Sequence, residues 1–414
     1  MPNDLIMAMQ AAIDHMNRWM RGRPDKSVLL FHHNDSDGLS AGAVLSRAFT
    51  RRGFSVKRGC LEKTYPAALA KIFLQKDQLI VLTDFAGRIA PVIAGLNQGN
   101  NLVLILDHHK ASPVTDKRVY NLDTELFGLR GDRDITASVT AYLFACCMDP
   151  KNRDLASVAV IGAVGDGFFV DGCLAGPNRE VARQARARGN LKIVQNPSGE
   201  TYLLQTRRKP VPCEEIAADL DTLGAAGYYQ GGPEMGIRVC LEGPSDASDR
   251  MLAHLRAIQK KIFNRETGRI AAGKIIRTPH IQWIHVQDRM APMGVKMIGV
   301  FLAWLRDRIT DHPELDPDRY LAGFQTVPNR IPGFGHVQID QVKISMRVAP
   351  TLAHKIQAGA APGMDTFLPA ATEAVGGFSD ACHSLAAATT VDIGREEDLV
   401  AEMEKILSNI ALHP

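Results

Sequence analysis

Short apolar runs alternate with amphipathic stretches in the first part of the chain. The runs Ser27–Phe31, Leu79–Thr83 and Leu102–Leu106 have the composition of buried strands. Around them, apolar residues recur with helical spacing, which predicts helices at 4–22, Ser40–Arg52, Tyr65–Gln75, Arg88–Leu96, Thr136–Met148 and Leu155–Val164. This alternation predicts an α/β domain whose parallel sheet carries helices on both faces.

The pattern changes in the second half. A polar stretch, rich in Gly and Pro, lies around Gly189–Pro212, and a long helix is predicted from about Ser248 to Ile276. Further strands are predicted at His280–Val286, Tyr320–Gln325 and Val337–Arg347, and helices at Gly294–Ile309 and Glu396–Ile410. We therefore expect an N-terminal domain over 1–190, a connector with the long helix over 191–275, and a smaller mixed α/β domain over 276–414.

Composition favours a soluble globular protein of more than one domain. The chain has 414 residues, 45% of them hydrophobic and 22% charged, which is too long for one ordinary core. Asp4 and Asp14 interrupt the N-terminal apolar residues, so no signal peptide or membrane span is expected. Seven cysteines, with Cys146 and Cys147 adjacent and no CxxC pair, favour free thiols and a cytoplasmic location.

Charge and aromatic content add little about partners. The net charge is +3, and the basic run Arg179, Arg183, Arg186, Arg188 and Lys192 fits either a solvated helix face or a track for nucleic-acid phosphates. Aromatic residues are 6% of the chain, and no local cluster looks like a platform for stacking bases.

Acidic and histidine residues follow the apolar runs. The first run leads into His32-His33-Asn34-Asp35-Ser36-Asp37-Gly38, the second into Asp84, and the third into Asp107-His108-His109. A fourth apolar run, Val158–Val164, precedes Gly165-Asp166-Gly167. Ligands bind at the carboxyl ends of strands in open α/β sheets. The Asp35 segment alone fits a helix cap equally well, but four clusters in series favour one shared site.

The residue types indicate which metals such a site would take. Mixed carboxylate and imidazole ligands suit manganese, magnesium or iron better than a thiolate zinc site does. Two ions about 3.5–4 Å apart could clamp a phosphoryl group. The sequence therefore predicts a two-metal site in the N-terminal domain.

These same segments resemble a known family. His33-Asn34-Asp35-Ser36-Asp37-Gly38, Asp84, Asp107-His108-His109 and Asp166 resemble the four ordered motifs of DHH phosphoesterases, over roughly residues 27–170. The family includes RecJ-type exonucleases, nanoRNases, family II pyrophosphatases and cyclic-dinucleotide phosphodiesterases. The compact His-x-Asp-x-Asp-Gly form looks more like the RecJ branch than the pyrophosphatase branch.

The resemblance implies a role for each residue. His33 and Asp35 would bind one metal ion, and Asp37 and His108 the other. Asp84 would bridge the two ions, with Asp166 a ligand beside them. His109 would contact the scissile phosphate, Asp107 would orient a neighbouring histidine, and the expected cofactor is two Mn²⁺ ions, with Mg²⁺ possible. His32 fits a plain strand-end residue as well as a contact.

A second resemblance lies in the C-terminal part. Lys343-Ile344-Ser345-Met346-Arg347 resembles the Ser-x-Arg strand of the DHH-associated domain. Gly376-Gly377 and the later His383-Ser384-Leu385-Ala386-Ala387-Ala388 resemble its Gly-Gly-His-x-x-Ala-Ala-Gly signature, with five residues inserted and Ala388 in place of the last glycine. The resemblance implies substrate binding by Ser345, Arg347, Gly376, Gly377 and His383. Otherwise Ser345 and Arg347 are solvent-facing strand positions and the glycines form a turn.

The leading expectation is a RecJ-like, manganese-dependent phosphodiesterase that hydrolyses single-stranded DNA or RNA from an end. One alternative is an enzyme for short oligonucleotides, phosphorylated nucleosides or cyclic dinucleotides. The other is a catalytically silent scaffold that binds nucleic acid or a replication partner, although such a scaffold has no need of the anionic cluster. Polarity and oligomeric state stay open.

Overall fold

The computed structural model describes residues 2–23, 25–206 and 208–412, with the backbone alone at 379–381 and 411–412. Contacts divide the chain into two compact units. Unit 1 contains Met1–Leu255 and Ile331–Val337, and unit 2 contains Arg256–Arg330 and Gln338–Pro414. The segment 331–337 thus belongs to unit 1 although the residues on both sides of it belong to unit 2.

Unit 1 is built on a five-stranded parallel sheet of order β2-β1-β3-β4-β5. Every residue of β3 and β4 is buried, as expected for inner strands of a sheet covered on both faces. The strands are β1 (Ser27–His33), β2 (Ser55–Leu61), β3 (Leu79–Thr83), β4 (Leu102–Leu106) and β5 (Val119–Asn121).

Helices flank this sheet. The central one, α2, packs against β1 and against α5 and α6, and most of its residues are buried. The helices are α1 (Asn3–Trp19), α2 (Ser36–Arg51), α3 (Pro66–Phe73), α4 (Ala90–Asn97), α5 (Ala137–Met148), α6 (Ala156–Gly165), α7 (Gly176–Ala187), α8 (Cys213–Ala225) and α9 (Gly232–Glu242). The long helix α10 (Asp246–Ala271) begins in unit 1 and ends in unit 2.

Two small antiparallel sheets complete unit 1 between α6 and α8. One is the hairpin of β6 (Phe169–Val170) and β7 (Cys173–Leu174), and the other has the order β10-β9-β8. Its strands are β8 (Leu191–Asn196), β9 (Gly199–Leu204) and β10 (Val211–Pro212).

Unit 2 contains a six-stranded mixed sheet of order β11-β12-β13-β16-β18-β17, in which only the β12–β13 pair is parallel. Its buried core joins both sheet and helix residues, among them Trp283, Phe324 and Phe367. The strands are β11 (Ile276–Arg277), β12 (Ile281–Gln287), β13 (Tyr320–Thr326), β16 (Gln341–Arg347), β17 (Phe378–Cys382) and β18 (Ala386–Asp392). The helices are α11 (Met297–Arg306), α12 (Pro350–Gln357), α13 (Met364–Ala374) and α14 (Glu396–Leu412). A separate two-stranded pair, β14 (Arg330–Ile331) and β15 (Gly335–His336), lies where the chain passes between units.

The predicted fold class is confirmed, because a parallel-sheet domain flanked by helices is followed by a smaller mixed one. The strands β3 and β4 have their predicted bounds. The polar Gly189–Pro212 stretch contains the strands β8 and β9, and along β9 the buried residues Glu200, Tyr202 and Leu204 alternate with partly exposed ones. Within the described residues no helix combines the length and the hydrophobicity that crossing a bilayer requires.

Candidate metal centre

The carboxyl ends of β1, β3 and β4 place the predicted ligands side by side. His33 ends β1, Asp84 follows β3, and Asp107 to His109 follow β4. Asp166 arrives from the C-terminal end of helix α6 rather than from a strand. The side chains form three groups whose ligand atoms lie within 4.8 Å of one another: Asp84, Asp107, His108 and His109; His33, Asp35 and Asp84; and Asp37, His108 and Asp166.

His108 lies at the centre of the cluster with its tautomer fixed. Its Nδ1–H donates to Gly131 O at 2.7 Å, which leaves Nε2 as the free ring nitrogen. Nε2 lies 3.4 Å from Asp84 Oδ1, 3.5 Å from Asp166 Oδ2 and 3.8 Å from Asp37 Oδ2. A nitrogen lone pair among carboxylate oxygens needs a cation between them, either a proton or a metal ion.

Asp37 is held rigidly although it is fully buried. Its two oxygens accept the N–H groups of Ala137 (2.7 Å) and Ser138 (3.0 Å) at the start of α5, where the helix dipole favours an anion. Burial, and next the negative charge of Asp84, nevertheless raise the pKa of Asp37 to about 6. The carboxylate is therefore fixed in position but costly to ionise without a nearby cation.

His33 and Asp35 form the second edge of the cluster. His33 Nε2–H donates to Glu62 O at 3.3 Å, and its Nδ1 lies 2.7 Å from Asp35 Oδ2 and 3.5 Å from Asp84 Oδ2. Asp35 Oδ1 accepts Gly38 N–H at 3.0 Å, so the residue also caps α2. Asp35 therefore caps α2 with Oδ1 and approaches His33 with Oδ2.

Asp84 and Asp166 have oxygen atoms that fit a metal. Asp84 Oδ2 and Asp166 Oδ2 are buried and accept no hydrogen bond within the described part of the chain. Asp84 also adopts a left-handed backbone (φ 65°), a conformation that costs free energy and is common at functional sites. Burial, and next Asp37, raise the pKa of Asp166 well above its usual range. Unsatisfied buried oxygens beside imidazole nitrogens are a suitable ligand set for Mn²⁺ or Mg²⁺.

Asp107 supports the neighbouring histidines. Its Oδ1 accepts His108 N–H at 2.8 Å and His109 Nδ1–H at 2.7 Å, while Oδ2 accepts Gly87 N–H at 2.8 Å. Despite burial, His109 holds the pKa of Asp107 well below its usual range. Burial opposes the charged imidazolium of His109, but Asp107 outweighs it and raises the pKa of His109. The His109 side chain is 58% exposed.

Close backbone contacts around the cluster require glycine. A Cβ on Gly131 would lie 1.4 Å from His108 O, and a Cβ on Gly224 in α8 would lie 1.6 Å from Asn34 O. Asp221, also in α8, accepts Ser36 N–H at 2.8 Å. Helix α8 therefore holds the loop between β1 and α2 from a distant part of the sequence.

Four residues that support the cluster could not be recognised in the sequence: Gly131, Asp221, Gly224 and Asp123. Asp123 is fully buried, and burial followed by the charge of Asp107 raises the pKa of Asp123 to about 8. Only its position after the short strand β5 could have drawn attention to it. No local pattern marks Asp221 or Gly224.

Two other candidates lie outside the cluster. The ring of His32 packs beside Gly42 of α2, and burial lowers the pKa of His32 to about 4. In the basic run, Arg179 pairs with buried Glu200 at 2.6 Å and Arg183 with Glu180 at 3.8 Å, whereas Lys192 is exposed.

In unit 2, Ser345, Arg347 and His383 lie at one end of neighbouring strands. Arg347 on β16 is opposite Ala386 on β18, and His383 N–H donates to Ala386 O at 3.0 Å. Ser345 is buried, which contradicts the solvent-facing alternative for that residue, and Arg347 is half-buried. A Cβ on Gly299 would lie 3.1 Å from Ser345 Oγ and 3.2 Å from Arg347 Nη2, so the start of α11 adjoins both.

Gly376 and Gly377 lie elsewhere. They precede β17, next to Thr390 of β18, whereas His383 follows β17 at its other end. Gly376 has a φ of 75°, which only glycine adopts readily at a turn. The structure thus separates the two glycines from His383 by the length of β17.

Comparisons with known proteins give the fold. No family model matches the chain. An uncharacterised protein of Methanocaldococcus jannaschii is 28% identical over 170 residues, which cover 40% of this chain and only 38% of that protein.

Three solved structures are similar over nearly the whole chain at low sequence identity. RecJ from Thermus thermophilus with Mn²⁺ has a TM-score of 0.60 and 14% identity, covering 97% of this chain and 55% of that one. An exonuclease RecJ bound to manganese has a TM-score of 0.56 and 15% identity, covering 97% and 94%. CDC45 from Entamoeba histolytica has a TM-score of 0.51 and 11% identity, covering 96% and 99%.

Proposed function

The chain has the RecJ-like fold of the DHH superfamily, and we propose that it is a two-metal, manganese-dependent phosphodiesterase that hydrolyses single-stranded nucleic acid from an end. One observation carries the proposal. The free Nε2 of His108 faces three carboxylates at 3.4–3.8 Å while its Nδ1 is tied to Gly131 O. Such a buried cluster is stable only with cations, and its donor atoms fit Mn²⁺ or Mg²⁺.

The two oxygens of Asp84 support a shared ligand. Oδ1 faces His108 Nε2 at 3.4 Å and Oδ2 faces His33 Nδ1 at 3.5 Å. In the proposal, His33 and Asp35 hold one ion, Asp37 and His108 hold the other, Asp84 bridges them, and Asp166 completes the set. When bound, two such ions would activate a water molecule and neutralise charge on the phosphoryl group.

His109 is suited to bind the scissile phosphate. Its Nδ1–H is held by Asp107 at 2.7 Å, which orients the ring and leaves Nε2 to donate. The Asp107 carboxylate raises the pKa of His109 and so favours its imidazolium form, which would stabilise negative charge that develops on a phosphoryl oxygen. Asp107 is thus a positioning residue in this proposal.

The substrate grip in unit 2 is proposed to centre on Arg347. Burial, and next Arg306, lower the pKa of Arg347. Among the residues whose side chains the structure describes, its hydrogen-bond partner is Met346 O, a neutral acceptor that Nη1–H donates to. A phosphate would give the guanidinium an anionic partner, with Ser345 and His383 beside it. Gly376 and Gly377 would add a contact only if the substrate reached the other end of β17.

The test uses end-labelled DNA and RNA ladders with chelated protein, before and after Mn²⁺ is added. We expect stepwise shortening of long single strands from one end, and only with the metal. Cleavage confined to the shortest oligonucleotides would favour the small-nucleotide enzyme. Binding without any cleavage under Mn²⁺ would reject the proposal in favour of a scaffold.

A further inference from the structure

Unit 1 contains a cavity of about 510 Å³ that none of the metal ligands line. Its volume falls within the range of sites for small molecules. Three features distinguish it: an apolar floor, a cationic rim and walls from three separate stretches of chain. Its lining includes Leu29, Phe31, Lys57, Arg58, Lys71, Leu74 and Phe334.

The floor belongs to the same face of β1 as a metal ligand. Side chains alternate along a strand, so Leu29, Phe31 and His33 share one face. His32 packs on the opposite face, beside Gly42 of α2. Two residues of a strand span roughly 6.6 Å, so the cavity begins only a short distance from His33 along the strand.

An aromatic pair is assembled at this floor from distant parts of the sequence. The rings of Phe31 and Phe334 have centroids 5.3 Å apart. A Cβ on Gly59 of β2 would lie 2.6 Å from the Phe31 ring and 3.0 Å from the Phe334 ring, so glycine is needed there. Phe31 is buried and Phe334 is half-buried, which leaves part of the Phe334 ring as the accessible surface.

The segment that carries Phe334 is fastened to unit 1. The ammonium group of Lys71 donates to Phe334 O at 2.7 Å and to His336 O at 3.0 Å. This segment, residues 331–337, belongs to unit 1 although its flanking residues belong to unit 2. The aromatic wall is therefore held in place by specific hydrogen bonds.

The rim is positively charged. Lys57, Arg58 and Lys71 line the cavity, and the lining residues that the structure describes include no carboxylate. Glu234, which lies outside the lining, pairs with Arg58, so Lys57 is the exposed cation that remains beside Leu74, itself 78% exposed. An apolar, partly aromatic floor with a cationic rim complements a flat ring linked to an anion.

We propose that this cavity binds one nucleotide of a single-stranded nucleic acid, with its base against Phe334 and Leu74 and its phosphate beside Lys57. The inference rests on the proposed function, because it assigns to the same substrate a contact beyond the metal centre. It gives the chain a base-stacking position that the sequence did not reveal.

Binding of a single strand is the direct test. The probe is a fluorescent phosphorothioate oligonucleotide about 12 nucleotides long, within the range that single-strand binding folds cover. Its Kd is measured with Mn²⁺ for wild type, Lys57→Glu, Phe334→Ala and Phe334→Tyr. Lys117→Glu, at another exposed lysine of unit 1, is the matched control.

We expect Lys57→Glu and Phe334→Ala each to weaken binding about tenfold, because one phosphate contact or one stacking contact is lost. Phe334→Tyr, which keeps the ring, and Lys117→Glu should bind within about twofold of wild type. The salt dependence of Kd should be shallower in Lys57→Glu. A 4-thiothymidine oligonucleotide should form photo-crosslinks to the peptide that contains Phe334.

The outcomes separate this inference from the proposed function. The Mn²⁺ content, and kcat at a saturating concentration of strand, should be unchanged in Lys57→Glu and Phe334→Ala, because neither side chain belongs to the metal cluster. Unchanged Kd in both variants, with Mn²⁺-dependent hydrolysis intact, would overturn the cavity site alone. Absence of hydrolysis in the wild type would reject the proposed function, and crosslinking would then show whether the cavity still binds a strand. Crosslinks only to other peptides would overturn the inference.

Discussion

The two units collect their candidate functional residues in opposite ways. In unit 1, residues far apart in the sequence meet because adjacent parallel strands end at the same edge of the sheet. In unit 2, by contrast, the residues of the short motif that contains Gly376, Gly377 and His383 are separated. The five residues between Gly377 and His383 form β17, so the glycines lie at one end of that strand and the histidine at the other.

The electrostatics of the two units also differ. The cluster in unit 1 is rich in buried carboxylates, and the pKa values of Asp37 and Asp166 are raised. In unit 2 the charge has the opposite sign, because burial lowers the pKa of the half-buried Arg347 guanidinium. The cluster in unit 1 would therefore be stabilised by cations such as metal ions. The Arg347 region of unit 2 would be stabilised by an anion such as a phosphate.

The largest expected effect is at Asp84. Asp84→Asn keeps the shape but removes the anion that faces both histidines, so metal occupancy should collapse and turnover should fall by orders of magnitude. Asp14→Asn, at an exposed position of α1, is the control and should match wild type. Metal content and turnover measured on the same samples check this. Normal turnover in Asp84→Asn would contradict the bridging role proposed for Asp84.

The next effect concerns the helix that supports the metal loop. A Cβ on Gly224 would collide with Asn34 O, so Gly224→Ala should displace the loop, weaken Mn²⁺ binding and cost about 1–3 kcal/mol of stability. Gly95→Ala in α4 is a matched control with open space around it, and should be neutral or slightly stabilising. Urea unfolding measures the stability of both variants, and Mn²⁺ titration measures their affinity for the metal. Equal Mn²⁺ affinity in both would contradict a positioning role for α8.

Arg347 should affect substrate affinity and leave metal binding unchanged. Arg347→Ala removes the proposed phosphate contact, so KM should rise by the equivalent of about 1.5–3 kcal/mol while kcat and Mn²⁺ content change little. Arg395→Ala, at an exposed arginine of the same unit, is the control. Steady-state kinetics on a single-stranded substrate provides the measurement. A loss confined to kcat would place Arg347 in the chemistry instead of the grip.

The smallest effect is a pH dependence confined to unit 1. The pKa of Asp37 is raised to about 6, so the folded chain holds this proton more tightly than the unfolded chain does. Without metal, the contribution of Asp37 to the free energy of unfolding therefore falls as the pH rises through that value. Metal binding must displace these protons, and the stabilisation by Mn²⁺ should therefore be larger at about pH 8 than at about pH 5. Melting temperatures with Mn²⁺ and with chelator test this, and an equal gain at both pH values would contradict it.

The sequence predicted those parts of the molecule whose signals are local. The strands β3 and β4 are continuous apolar runs with a ligand directly after each, so both the strands and Asp84 and His108 could be recognised. The strand β2 at the sheet edge is half polar and was missed. Gly131 and Gly224 lie against the backbone of distant residues, and the Asp221 carboxylate accepts the N–H of the distant Ser36, and no spacing in the sequence reveals these contacts. Phe31 and Phe334 likewise form a pair only after folding.

The central claim is that the carboxylate and histidine cluster of unit 1 holds two metal ions. Native mass spectrometry of the wild-type chain, stripped with chelator and then titrated with Mn²⁺, measures the stoichiometry directly. We predict two Mn²⁺ ions per chain in the wild type, with occupancy largely lost in Asp84→Asn. A wild-type chain that binds no Mn²⁺, or an Asp84→Asn chain that still binds two ions with equal affinity, would contradict the account.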